Sequence, residues 1–188
     1  RLVPIKKTPN PDGNPGYVNS EILYDRLMNN FHWGGMDVSD IYMDETNRRM
    51  TMSLRITFSR LSQQLIDEND KEKALEVLDK AFEVMPEKNV PYDVFVMYLA
   101  ENYYAAGDSE KGNQIIARLA DIFEQELLYY NSLDPKFAKS ITREKQQAGA
   151  ILNRLVIITN QMYPQGEFGE QLRERLNPVF GSGLQQNR

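Results

Sequence analysis

From about Arg48 to about Phe180 the apolar residues recur every three or four positions, and no stretch alternates apolar with polar convincingly. A repeat near 3.6 puts side chains on one helix face, whereas a strand needs a repeat of 2. A chain patterned this way can bury its apolar surface only by packing helix on helix. Ile56, Phe58, Leu61, Leu65 and Ile66 make one stripe, and Ala74, Leu75, Leu78, Ala81 and Phe82 make the next. Phe95, Val96, Leu99 and Tyr103 follow, closed by Gly107-Asp108 as a C-cap signal. Further stripes run from Ile115 to Leu128, from Ile151 to Met162, and through Leu172, Leu176 and Phe180. The expected fold class is all-α: antiparallel helix hairpins stacked one on another.

Three segments follow from this pattern. Residues 1–47 open with a run rich in Pro and Gly, RLVPIKKTPNPDGNPGY, which favours extended or turn geometry. Asn19 or Ser20 then caps a short helix to about Asn30, and 37–47 reads as loop. Residues 48–180 form the helical body, and 181–188 a frayed polar tail.

The body carries an internal similarity. Phe58, Leu61, Ser62 and Leu65, then Ala74, Leu78, Ala81 and Pro86, resemble the two helices of a tetratricopeptide repeat. Small residues are needed where two helices cross, because long side chains would hold the backbones apart. Val96, Leu99, Ala100 and Tyr103, then Gly112, Ile116 and Ala120, resemble a second unit. Ala74 and Gly112 are 38 positions apart, against about 34 in an unbroken array. The excess falls near Glu87–Tyr92, where an insertion between units is cheapest. A third, degenerate unit runs from Leu155 to Pro178, with a short second helix that lacks a small crossing residue.

Composition narrows the function classes. The net charge is -5 without a basic block, which argues against nucleic acid. Cysteine is absent and histidine occurs once, which excludes thiolate and multi-histidine metal sites. Asp37, Asp40, Asp44 and Glu45 lack the spacing of a calcium loop and read as a solvated run ending at a helix N-terminus. No GxSxG or GxxxxGK[ST] motif occurs. No catalytic residue, metal or cofactor is therefore expected. Candidate ligand or partner contacts are His32, Trp33, Tyr42, Asp44, Arg48 and Tyr104. His32-Trp33 beside two glycines suits a sugar-stacking platform or, in preference, an anchor that packs residues 1–47 on the body as a cap. Arg48-Arg49 suit phosphate or, in preference, pairing with Asp44 and Glu45. Of each pair Tyr103-Tyr104 and Tyr129-Tyr130, one is expected in the core and the other lining a groove.

RLVPIK, FHWGGMD, IYMDE, NRRM, RITFSRLSQQLI, EKALEVLDKAFEVMP and VPYD together resemble the C-terminal domain of a bacterial multi-pass membrane family of the Bacteroides type. Its membrane part resembles protein O-mannosyltransferases. The resemblance covers most of residues 1–130. It implies a non-catalytic module on the extracytoplasmic (periplasmic) face of the inner membrane, following a last membrane helix. Such a module would bind a protein or peptide partner, or brace its own upstream membrane domain. The alternative is a carbohydrate- or acceptor-binding domain that presents substrate to the transferase.

Overall fold

The computed structural model describes residues 18–137 and 139–184, so the Pro-rich lead-in before Val18 lies outside the described residues. Those residues form helices and connections, with no strand among them. Helix α1 (Ser20–Asp25) is capped by Asn19, whose Oδ1 accepts from the Ile22 N–H at 2.9 Å. It runs on through a π-helical turn, Arg26–Asn30. Gly34 and Gly35 then take φ of 63° and 78°, a left-handed reversal that a Cβ would disfavour.

Helix α2 (Glu45–Asp67) starts three residues ahead of the expected Arg48, because Asp44 caps it by accepting from the Asn47 N–H at 2.8 Å. The 47/48 boundary thus falls inside a helix turn. Aspartate caps recur at α3 (Lys71–Val84), where Asp70 accepts from Lys73, and at α5 (Ser109–Ser132), where Asp108 accepts from Lys111. Between them, α4 (Val96–Ala106) ends at Gly107, φ 107°, whose N–H and that of Asp108 return to Tyr103. Helices α6 (Thr142–Met162) and α7 (Phe168–Leu184) complete the order. The expected closing proline, Pro178, lies inside α7. The helix therefore takes residues 181–184 out of the predicted frayed tail, and 185–188 are outside the described residues.

Each helix from α2 onward packs on the next in sequence, while α2 with α4, α4 with α6, and α5 with α7 also touch. The core is the set of stripes read from the sequence: Phe58, Leu61 and Leu65 of α2 meet Ala74, Leu78 and Ala81 of α3. Ile56, Leu128 and Met162 differ, since at 38%, 51% and 41% exposure they face away. Small residues sit at the tight approaches. Ala74 and Ala81 are fully enclosed. A Cβ on Gly112 would lie 2.9 Å from the Tyr104 ring, and one on Gly169 would lie 2.2 Å from Asn160 Oδ1. The last helix pair thus has the small crossing residue that the sequence reading denied it. Surface ion pairs tie earlier segments to later helices with the acid first in the chain: Asp79–Lys111, Glu87 of the α3–α4 connection with Arg118, Glu101–Arg154, and Asp121 and Glu124 with Arg175.

Candidate functional site

The connection between α3 and α4 is the most heavily tied segment outside the helices. Arg55, in the middle of α2, is 1% exposed. Its guanidinium donates to Val90 O at 2.6 Å and Pro91 O at 2.8 Å, and lies over the Tyr92 ring, 5.6 Å from the centroid. Its Nη1 is 3.1 Å from Asp93 Oδ2, an ion pair by proximity without the alignment of a hydrogen bond. Burial pulls the Arg55 pKa down while Asp93 pushes it back, which keeps the cation inside. Asp93 Oδ1 accepts from the Phe95 N–H at 2.8 Å and turns the chain into α4.

Asn89, also buried, works on the other side of the connection. Its Nδ2 donates to Met36 O at 2.6 Å and Ser39 O at 2.7 Å, and its Oδ1 accepts from the Ile41 N–H at 3.2 Å. The α3–α4 connection therefore holds the segment before α2 in place.

This fixed connection forms one wall of a groove of about 340 Å³. Tyr92, Asp93 and Val94 supply that wall, and Met52 of α2 adjoins it. Helix α5 contributes Ile122, Phe123, Glu126 and Tyr130, which share a face at helical spacing. Helix α6 contributes Glu144, Gln147, Ala148 and Ile151, again one face. Its charged side chains are all carboxylates. Glu126 and Glu144 have no lysine or arginine partner among the described residues, in contrast to Asp93 beside Arg55. Burial pushes the Glu126 pKa up. Burial also raises that of the Tyr130 phenol, and the charges of Glu126 and Glu144 add to the rise. Among the described residues no three His, Asp or Glu side chains are grouped to hold a metal ion.

None of the six residues singled out in the sequence lines this groove. Trp33 packs on Phe58 of α2 with ring centroids 5.7 Å apart, and on Phe31 at 5.9 Å. With Leu27 and Met36 buried beside the core, that contact seats the segment before α2 on the helical body. His32 and Arg48 are exposed, Tyr42 is 94% exposed, and Asp44 is the α2 cap. Arg49, not Arg48, forms the ion pair with Glu45. Tyr104 does not line a groove. It is only 7% exposed, and its hydroxyl donates to Asn113 Oδ1 at 2.6 Å, because Gly112 lets α5 approach its ring. Tyr103 is buried as well; of the other pair, Tyr130 lines the groove, but Tyr129 is exposed and not in the core.

Comparison with known proteins gives no match: no protein-family model, curated protein or solved structure is similar to the chain. No helix among the described residues is long and apolar enough to cross a membrane.

Proposed function

We propose that the chain is a non-catalytic helical-repeat module, of the tetratricopeptide-like kind, that binds a protein or peptide partner in the groove between α5, α6 and the α3–α4 connection. The observation that carries this reading is the groove itself: an apolar floor, unpaired carboxylates on its α5 and α6 walls, and a third wall that Arg55 and Asn89 tie in place. Preorganised walls lower the ordering cost of binding a flexible peptide. The small residues at successive helix crossings support the repeat reading. The motifs resembling the membrane O-mannosyltransferase-like family support a parent with a membrane part, for which this module would recruit a partner or brace the membrane domain. A carbohydrate platform at His32, Trp33, Tyr42 and Asp44 has less support, since Trp33 gives its ring to Phe58 and Asp44 its carboxylate to a cap.

Panning a display library of random nonapeptides over the purified chain tests the proposal. Peptides should enrich, and Gln147→Trp, at an exposed position on the groove rim, should abolish their binding without changing the melting temperature. Turnover of a sugar or acyl ester by the purified chain would overturn the non-catalytic reading.

A further inference from the structure

We propose that the groove receives an arginine side chain of an extended peptide partner, with the guanidinium between Glu126 and Glu144 and the stem on Ile122, Phe123 and Ile151. This rests on the interaction-module reading and narrows it to one ligand chemistry.

Size comes first. At about 340 Å³ the groove lies at the lower end of the range for ligand pockets, roughly 300–1,000 Å³. It has room for one long side chain and its adjoining backbone. Charge comes second. Every ionisable lining group is an acid or a phenol; of the cations that act on Tyr92 of the wall, Arg55 is committed to Val90, Pro91 and Asp93, and Arg118 to Glu87. An apolar groove with unpaired carboxylates rejects anions and gains from a cation that is easily desolvated.

The form of the cation follows from the lining. Glu126 and Glu144 come from different helices and are not grouped with a third acid, so a compact metal ion lacks its ligand set. A guanidinium is planar, offers five N–H donors, and can bridge two separate carboxylates. It also stacks on aromatic faces, and Tyr130 stands in the same wall. The hydrocarbon stem of arginine suits the Ile122, Phe123 and Ile151 floor. Lysine shares the charge but not the fork, so it should bind more weakly.

A peptide enriched on the intact chain is resynthesised with each arginine replaced in turn by lysine or by citrulline, its neutral isostere, and affinities are read by fluorescence anisotropy. Citrulline at one position should weaken binding about tenfold or more, and lysine less. Glu126→Gln with Glu144→Gln should bring the arginine and citrulline peptides to the same affinity while leaving the melting temperature unchanged. Peptides that enrich and are blocked by Gln147→Trp, yet carry no arginine or tolerate citrulline everywhere, would overturn the arginine inference and leave the module reading standing. Failure of any peptide to enrich would overturn both.

Discussion

In the first half of the molecule, through α4, buried side chains reach polar partners far along the chain. Arg55 holds Val90 and Pro91, Asn89 holds Met36 and Ser39, and Asn102 donates to Ser59 O and Ser62 Oγ, both at 2.8 Å. In the second half, α5 to α7, the buried polar side chain among the described residues is Thr159, and it bonds its own helix at Leu155 O. What joins helices there is apolar burial, together with ion pairs at the surface such as Arg175 with Asp121 and Glu124. The contrast separates two ways of fixing helices against each other. Apolar faces supply most of the free energy but tolerate small slips, whereas a buried donor is satisfied in one arrangement only. The groove lies where the two halves meet. Its first wall is held by directional bonds, and its α5 and α6 walls by packing.

Breaking the buried tie should have the largest effect. Arg55→Met keeps the apolar stem but leaves two carbonyls without their donor and Asp93 without its cation, a loss of about 3–5 kcal/mol. Chemical denaturation measures it. A loss below about 1 kcal/mol would mean that the first half, like the second, is held by apolar contact alone.

High pH sharpens the comparison next. Burial pushes Tyr104 up to about 12, the hydrogen bond to Glu76 holds Tyr24 up to about 12, and burial with the bond to Asp79 drives Tyr103 higher still. All three belong to the first half. Their folded-state values exceed the unfolded value near 10, so above that pH the unfolded chain releases protons that the folded chain keeps. Stability is therefore full below about pH 10 and falls as the pH rises toward 12, by about 2 kcal/mol for a buried phenol such as Tyr104. Denaturation at a series of alkaline pH values should show this fall, and Tyr104→Phe should reduce it. A flat profile would show that these phenols ionise freely in the folded chain.

The smallest effect is expected at the surface of the second half. Arg175→Ala removes half-exposed pairs with Asp121 and Glu124 and should cost less than about 1 kcal/mol. The cost should shrink further at high salt. A loss as large as that of Arg55→Met would erase the distinction between the halves.

Much of this architecture was legible in advance. The stripes place the helices, Gly107 and Asp108 mark the α4–α5 turn, and Ala74 marks a tight crossing. The α3–α4 connection was not legible as an anchored one. Arg55 sits between Leu54 and Ile56, and an arginine on a helix ordinarily reads as solvated; only the carbonyls of a distant loop make its burial possible. Tyr104 read as a groove residue because local spacing cannot show that Gly112 admits another helix against its ring.

The candidate site had no local signature either. Glu126 and Glu144 stand 18 positions apart on two helices, each unremarkable on a helix face. The sequence by itself determined the helices, their caps and the faces they bury, because these depend on neighbours three or four residues away. Tertiary structure alone decided which carboxylates share a groove and which cation is withheld from them, since those distances exist only once α5, α6 and the α3–α4 connection are packed together.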